Sequence, residues 1–171
     1  MSRWSDFYQS RINSTYQDYF EKKYAPILEI VSSYNSVREE GIGIGSISKY
    51  LIKRNINVSG FDLCPDMLRL CQLNNPALKL RRGDIFAQCA DKVDIVVTHG
   101  VLEHFSDEAI NQILYRYKTD NQKSVHYVPL DGYKIPSFGD ERLLPYQHWL
   151  ERFKPSDYIV KNNQDLFLIF D

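Results

Sequence analysis

Three glycines at alternate positions constrain this chain more than any other feature of its sequence. Gly41, Gly43 and Gly45 follow a β-favouring run, residues 36–40, that ends in two glutamates. Because glycine has no Cβ, the backbone can turn sharply after the strand, and a ligand can approach the main chain closely. Residues 46–54 predict a helix whose first unpaired N–H groups point towards the same place. The stretch therefore predicts a ligand site built on a strand, a turn and a helix.

The spacing of these glycines distinguishes between two kinds of nucleotide site. A dinucleotide fingerprint, G-x-G-x-x-G/A, requires glycine or alanine at position 46, where the chain has Ser46. Glu39 and Glu40 would also repel a pyrophosphate, whereas a ligand that carries sulfonium and ammonium charges would tolerate both carboxylates. A glycine-rich turn without any ligand is the alternative at this point.

Acidic residues also follow the next two predicted strands. Residues 56–61 predict a strand that ends at Asp62, about 20 residues after the glycines, as in a strand–helix–strand unit. The Asp62 carboxylate can accept hydrogen bonds from both hydroxyls of a ribose. Residues 78–82 predict a third strand that stops just before Asp84. Because parallel strands bring their carboxyl ends to one edge of a sheet, we expect these acids beside the glycine turn.

These segments resemble the class I S-adenosylmethionine-dependent methyltransferases. Residues 39–45 match the first motif of that family, an acid, one residue and G-x-G-x-G, and residues 60–68 resemble its second conserved stretch. The resemblance implies that Glu39 and the Gly41 carbonyl hold the methionine ammonium of S-adenosylmethionine. It also implies that Asp62 binds the ribose, and that Asp84 with the following backbone N–H binds the adenine.

A fourth strand leads to another motif of the same family. Residues 93–97 are a short apolar run typical of a buried central strand. The following residues 98–105 read Thr-His-Gly-Val-Leu-Glu-His-Phe and resemble the motif Gly-Val-Leu-Glu-His with an aromatic residue after it. The cofactor contacts that the resemblance implies over the whole chain are Glu39, Gly41, Gly43, Gly45, Asp62, Leu63, Asp84, Ile85, His99, Gly100 and Val101.

His104 is the candidate catalytic residue. An unperturbed imidazole titrates near neutral pH, so it can remove a proton from an acceptor as a general base. A packing or hydrogen-bonding role behind the pocket is the alternative for this histidine.

Composition limits the remaining possibilities. A chain of 171 residues with 43% hydrophobic residues predicts one soluble globular domain, and a formal net charge of −1 gives no general attraction to nucleic acid or anionic membranes. The three cysteines lack C-x-x-C spacing, which favours reduced thiols in the cytoplasm. No apolar run is long enough to span a bilayer, and residues 1–10 do not resemble a signal peptide.

The first 33 residues predict a helical segment with an aromatic face. Apolar side chains recur at three- and four-residue steps over residues 3–33, and Pro26 is expected to divide this segment into two helices. Tyrosines and Arg11 near its tip could close over the glycine turn as a lid, as leading helices often do in the family that the chain resembles. Simple packing of this face on the domain is the alternative.

The last third of the chain predicts the remaining elements. Residues 107–118 predict a helix with Ser106 as its N-cap, residues 123–128 a fifth strand and residues 147–153 another helix. Residues 156–161 and 166–170 predict a terminal hairpin, which brings the number of predicted strands to seven.

The stretch between the fifth strand and the last helix is the candidate acceptor pocket. Residues 129–146 are rich in glycine, proline and aromatic residues, and loops at a ligand edge usually carry specificity. The sequence of residues 138–149 resembles a segment of small bacterial methyltransferases whose acceptor is often unassigned. The candidate pocket residues are Tyr133, Glu141 and Tyr146, together with Phe138, Asp140 and Arg142.

Together these patterns predict a three-layer α/β sandwich, with a seven-stranded, mostly parallel sheet and a C-terminal antiparallel hairpin, the Rossmann-like methyltransferase fold. The resemblance implies methyl transfer from S-adenosylmethionine to a small-molecule acceptor, with S-adenosylhomocysteine as product and no metal. A regulatory protein that only binds the cofactor, a non-methylating enzyme on the same fold and an NAD-dependent oxidoreductase are the alternatives. A nucleic-acid partner is not expected, because Lys79, Arg81 and Arg82 form only a small basic cluster.

Overall fold

The computed structural model describes residues 3–87, 89, 91–134 and 140–171, with Arg3 described by its backbone alone. The chain forms two compact units, Met1–Val97 and Thr98–Asp171, and the boundary between them falls inside the fourth strand. Within the described residues seven strands form one sheet, in the order β3-β2-β1-β4-β5-β7-β6. The predicted fold class, a mixed seven-stranded sheet with helices and a C-terminal antiparallel hairpin, is confirmed.

The strands are β1 (Ser36–Glu40), β2 (Asn57–Asp62), β3 (Lys79–Arg82), β4 (Ile95–His99), β5 (Lys123–Pro129), β6 (Asp157–Lys161) and β7 (Asp165–Phe170). The α-helices of the described residues are α1 (Arg3–Gln9), α2 (Ser14–Lys23), α3 (Ala25–Ser32), α4 (Ser46–Ile52), α5 (Pro65–Asn74), α6 (Asp107–Thr119) and α7 (Tyr146–Phe153). A single 3-10 turn, Leu102–His104, follows β4.

The first unit is built on parallel strands. Strand β1 pairs with β2 on one side and with β4 on the other, and β2 pairs with β3. Val37, Phe61 and Ile95 are fully buried, as expected for strands that are covered on both faces. The register places Glu40 opposite Phe61, so β1 and β2 end side by side and the glycine turn begins next to Asp62.

The second unit contains the antiparallel part of the sheet. Strand β7 pairs with β5 and with β6, and the turn between β6 and β7 contains Asn162 and Asn163 with φ of 55° and 53°. Asparagine adopts this left-handed conformation more readily than most residues, and two such residues in sequence suit a tight hairpin. Trp149 of α7 and Phe167 of β7 are fully buried in this unit.

The N-terminal segment differs from its predicted form. Three helices replace the two that were expected: Pro26 begins α3 as predicted, but a second break separates α1 from α2. Asn13 causes this break, because its extended backbone and its side chain, which accepts a hydrogen bond from the Tyr16 N–H at 2.8 Å, form an N-cap. The prediction of one uninterrupted helix before Pro26 was therefore wrong.

The other predicted elements are confirmed to within two residues at most ends. The predicted N-cap Ser106 accepts a hydrogen bond from the Ala109 N–H at 3.3 Å. In the described residues we find no helix that combines the length and the apolar character needed to span a membrane.

Candidate functional site

The glycine turn of the first unit has a backbone that few residues other than glycine can adopt. Gly41, Gly43 and Gly45 have φ of 69°, 56° and 71°. The N–H groups of Gly41 and Ile42 both donate to the Phe61 carbonyl at 3.0 Å, and the Gly45 N–H donates to the Ile42 carbonyl at 2.8 Å. The turn is thus tied to the end of β2 and reverses the chain into α4.

The underside of the turn is tightly packed at Gly45. A Cβ on this residue would lie 2.7 Å from both Asn75 Nδ2 and Cys71 Sγ, and Asn75 Nδ2 donates to the Gly45 carbonyl at 3.2 Å and to the Ile44 carbonyl at 3.3 Å. Asn75 and Cys71 belong to the α5 region and had no predicted role. Only their distance from the turn in the folded chain identifies them, since neither residue belongs to a recognisable motif.

Asp62 lies at the carboxyl end of β2 and binds the glycine turn directly. Its Oδ2 accepts the Gly43 N–H at 3.0 Å, and its Oδ1 accepts the Cys64 N–H at 2.9 Å. Burial raises the pKa of Asp62, and the hydrogen bonds from these N–H groups oppose the increase. The predicted proximity of Asp62 to the turn is therefore present, and both carboxylate oxygens are held in place by the main chain.

Glu39 is more deeply buried than the sequence indicated. It is 3% exposed, and its Oε2 accepts hydrogen bonds from the Ser48 N–H at 3.0 Å and from the Ser48 hydroxyl at 2.5 Å. Burial raises the pKa of Glu39 to about 8, an effect that the hydrogen bonds from Ser48 oppose. The carboxyl group thus links β1 to α4. Nothing in the sequence around Ser48 indicated this contact.

The ends of β2 and β3 expose apolar side chains beside their acids. Leu63, directly after Asp62, is 59% exposed, and Phe86, two residues after Asp84, is also exposed. Asp84 is exposed and its Oδ1 accepts the Phe86 N–H at 3.0 Å, while Ile85 between them is buried. A flat apolar ligand with polar edges suits such a combination of exposed apolar and carboxylate groups.

Part of the N-terminal segment lies against the glycine turn. A small cluster of Ile44, Met67 and Leu70 is covered by the partly buried side chains of Trp4, Tyr8, Ile12, Tyr16 and Cys64. Arg11 instead stacks its guanidinium on the Phe7 ring, 3.5 Å from the centroid, and donates to the Phe7 carbonyl. The aromatic face therefore packs beside the turn, whereas Arg11 is held within its own helical segment.

In the second unit, the residues after β4 form another glycine turn. Gly100 has φ of 68°, and its N–H donates to the Tyr127 carbonyl at 3.2 Å. His99 stacks on the Tyr127 ring with 4.4 Å between the ring centroids, and Val101 is half-buried.

The 3-10 turn after Gly100 presents one buried acid and one partly exposed histidine. Glu103 is 2% exposed, and its Oε2 has no hydrogen-bond partner among the described residues. The pKa of Glu103 is raised to about 8, mainly by burial and also by the charges of Glu141 and Asp140, while a backbone hydrogen bond opposes the increase. The His104 Nδ1 lies 3.5 Å from Asp140 Oδ1. Glu103 lies in the predicted motif, but the sequence predicts roles only for its neighbours, among them His104.

Residues 140–148 are fastened to the start of α6 by Arg142. Its N–H donates to the Glu103 carbonyl at 2.9 Å, and its guanidinium donates to the Phe105 carbonyl and to Asp107 Oδ1, the latter at 2.6 Å. His148 Nε2 also lies 3.1 Å from Asp107 Oδ2. Arg142 therefore has a structural part in this unit, and its predicted place in the acceptor pocket stays a prediction.

The other predicted pocket residues are only partly described. Tyr133, Glu141 and Tyr146 are half-buried, and all three lie in the second unit. Phe138 lies outside the described residues. Their role at an acceptor stays a prediction.

Sequence comparisons match the part of the chain that contains the glycine turn and the acids after β1, β2 and β3. Residues 39–121 match the family model of a methyltransferase domain. A curated protein of Anoxybacillus flavithermus, described as an uncharacterized methyltransferase, is 28% identical over 123 residues, which cover 68% of this chain and 58% of that protein. The chain thus spans little more than half the length of this curated relative.

Solved structures share the fold over almost the whole chain. A crystal structure of a protein from Pyrococcus horikoshii has a TM-score of 0.76 at 15% identity, and covers 97% of this chain and 98% of that one. Human N-acetylserotonin methyltransferase, solved in complex with SAM, has a TM-score of 0.70 at 13% identity, and covers 98% of this chain and 55% of that one. Identities this low establish a common fold and leave the substrate open.

Proposed function

We propose that this chain is a class I S-adenosylmethionine-dependent methyltransferase that transfers a methyl group from S-adenosylmethionine to a small-molecule acceptor. The observation that carries the proposal is the link between Asp62 and the glycine turn, in which the Gly43 N–H donates to the carboxylate at 3.0 Å. This contact joins the predicted ribose-binding acid to the turn that would border the cofactor. We further propose that residues 1–171 act as one catalytic domain, with the N-terminal helices as its lid.

The residues of the first unit fit S-adenosylmethionine in three respects. The turn of residues 41–46 has no basic side chain, which disfavours a pyrophosphate and tolerates a cation. The exposed side chain of Leu63 beside Asp62 offers an apolar surface for the nucleoside. The Oγ of Ser46, at the start of α4, is buried and has no partner among the described residues, so a polar ligand atom could satisfy it.

The roles of the cofactor contacts follow from the chemistry of each group. The Gly41 carbonyl accepts from the methionine ammonium, and a cation near the buried Glu39 would favour its ionised form. Asp62 binds the ribose hydroxyls, while Asp84 and the backbone N–H of Ile85 bind the adenine edge. In the second unit, His99, Gly100 and Val101 are the proposed contacts of the methionine part, with Gly100 permitting close approach.

The bound cofactor supplies a methyl group that its sulfonium charge already activates. The protein therefore has to orient the acceptor, exclude water and remove a proton from an oxygen or nitrogen nucleophile. His104 is the proposed general base, because its ring is partly exposed and Asp140 lies 3.5 Å from Nδ1. Tyr133, Glu141 and Tyr146 are the proposed lining of the acceptor pocket.

Calorimetric titration of the full chain tests the cofactor assignment. We expect S-adenosylhomocysteine to bind and NAD not to bind. Gly43→Asp should abolish binding, because its new side chain and charge enter the turn, whereas Asn57→Asp adds the same charge at the exposed start of β2 and should bind normally. Failure of the wild type to bind S-adenosylhomocysteine, or normal binding by folded Gly43→Asp, would refute the proposal.

A labelled-methyl assay tests the chemical step separately. Transfer of label from S-adenosylmethionine to amines, phenols or carboxylic acids is expected for an enzyme with this function. Binding of S-adenosylhomocysteine without any transfer would instead favour a regulatory protein on the same fold. We propose no nucleic-acid partner and a cytoplasmic location, because reduced thiols at the three cysteines suit a reducing compartment.

A further inference from the structure

One buried carboxyl group in the second unit is not used by the roles assigned above. Glu103 lies in the 3-10 turn after Gly100, and a Cβ built on that glycine would be 3.4 Å from Glu103 Oε1. Its other oxygen, Oε2, is buried and has no hydrogen-bond partner among the described residues. Because a buried polar atom without a hydrogen-bond partner destabilises the fold, such an atom needs an explanation.

Two further acids act on the same group. The charges of Asp140 and Glu141 raise the pKa of Glu103 beyond the effect of burial, so both lie within electrostatic range of it. The Arg142 N–H donates to the Glu103 carbonyl at 2.9 Å, which holds this acidic segment against the 3-10 turn. Glu103 is thus the buried end of an acidic cluster whose other end, at Asp140, is exposed.

His104 contacts the exposed end of this cluster, with Nδ1 3.5 Å from Asp140 Oδ1, whereas the basic side chain of Arg142 is directed elsewhere. The guanidinium of Arg142 donates to the Phe105 carbonyl and to Asp107, so its charge is held at the start of α6. Among residues 3–87, 89, 91–134 and 140–171, no group of three or more histidine, cysteine or acidic side chains is arranged to hold a metal ion. A buried carboxylate oxygen without a partner among the described residues, beside two further acids, suits a cation that can donate a hydrogen bond.

From this arrangement we infer that Glu103, with Asp140 and Glu141, binds the ammonium group of an amine, and that the methyl acceptor is therefore an amine. The inference rests on the proposed methyl transfer and specifies its acceptor class. Glu103 Oε2 accepts from the bound ammonium, and the more exposed acids attract the cation to the cluster.

The ammonium bound at Glu103 loses one proton to His104, the general base proposed above, which leaves a lone pair on nitrogen. That lone pair forms the new nitrogen–carbon bond to the methyl group while the carbon–sulfur bond breaks, and the electron pair of the broken bond stays on sulfur.

Matched ligands of different charge test this inference on the full chain. Ligand-observed NMR titrations would compare benzylamine with benzyl alcohol and benzoate, and butylamine with butanol and butanoate. We expect at least one of the two amines to bind at least roughly tenfold more tightly than its alcohol and carboxylate partners, which corresponds to about 1.4 kcal/mol. Glu103→Gln keeps the shape but cannot ionise beside a bound cation, so it should weaken amine binding roughly tenfold or more.

Glu108→Gln is the matched control, because Glu108 is an exposed acid of α6 that has no part in the cluster. It should bind the amines as the wild type does. The inference is overturned if neither amine binds, if the alcohols or carboxylates bind equally well, or if folded Glu103→Gln keeps wild-type amine affinity. Titration with S-adenosylhomocysteine, run in parallel, reports on the proposed function separately, since it does not depend on the choice of acceptor.

Discussion

Replacing Gly45 by alanine tests whether the packing beneath the glycine turn holds it in place. Gly45 has φ of 71°, in the left-handed region that an alanine adopts only with strain. The added Cβ would also lie 2.7 Å from Asn75 Nδ2 and from Cys71 Sγ, closer than any ordinary contact. The substitution therefore combines backbone strain with overpacking.

The two effects can be given rough magnitudes. The left-handed conformation costs roughly 1–2 kcal/mol for a residue with a Cβ, and overpacking of a close-packed site typically costs about 1–3 kcal/mol. We therefore expect Gly45→Ala to lower the free energy of unfolding by about 2–5 kcal/mol. For a chain of this size the midpoint of thermal unfolding should fall by roughly 4–20 °C.

Gly43→Ala provides the matched comparison. Its φ of 56° imposes a similar conformational strain, but its new Cβ would meet only Met67 Cε, at an ordinary 3.7 Å. Chemical denaturation of both variants should therefore show a larger loss for Gly45→Ala, by about 1–3 kcal/mol. Equal losses in the two variants, or a Gly45→Ala protein as stable as the wild type, would show that Asn75 and Cys71 do not hold the turn.

Three further substitutions test the carboxyl groups of both units. Glu39→Gln should raise the midpoint of thermal unfolding at pH 8.5 relative to the wild type and change it little at pH 4. The reason is that the pKa of Glu39 is raised from 4.5 to about 8 in the folded state, so the wild type loses stability as pH rises between these values. Asp62→Asn should lower the free energy of unfolding by about 1–3 kcal/mol and weaken S-adenosylhomocysteine binding in calorimetry, because an amide nitrogen cannot accept a backbone N–H. Asp107→Asn should speed proteolytic cleavage near Arg142, whose guanidinium donates to this carboxylate at 2.6 Å.

Each of these predictions has a result that contradicts it. A Glu39→Gln protein with the same pH dependence as the wild type would show that this carboxyl group ionises normally in the folded state. Unchanged stability and unchanged ligand binding in Asp62→Asn would show that the turn does not depend on the second acceptor oxygen. For Asp107→Asn, cleavage at the wild-type rate would show that other contacts hold the segment; Glu108→Gln is the control for that assay.

Most of the fold could be predicted because its signals are local. Residues 93–97 form an apolar run between polar segments, and the central strand β4 follows at Ile95–His99. The paired asparagines at 162 and 163 mark the hairpin turn for the same reason, since each can adopt a positive φ. The break at Asn13 escaped the prediction because the hydrophobic spacing continues through it, and only the cap geometry reveals that the helix restarts there.

The acids and glycines of the candidate site could be predicted from the sequence, but the residues that hold them in place could not. Asp62 and Gly43 were expected near each other from the order of strands, and their hydrogen bond agrees with that expectation. Asn75 and Ser48 could not be identified, because they act on the turn and on Glu39 through contacts between elements that are distant in sequence.

The sequence by itself determined the succession of strands along the chain, the need for glycine in the turn and the positions of the acids near strand ends. These properties depend on side-chain spacing and backbone conformation, which the local sequence determines. The tertiary structure decided which acids lose contact with water. Glu39 and Glu103 are buried and have a raised pKa, whereas Asp84 stays exposed, although all three lie at or near the carboxyl end of a strand. Burial depends on the neighbours that folding brings to each carboxyl group, and those neighbours come from distant parts of the sequence.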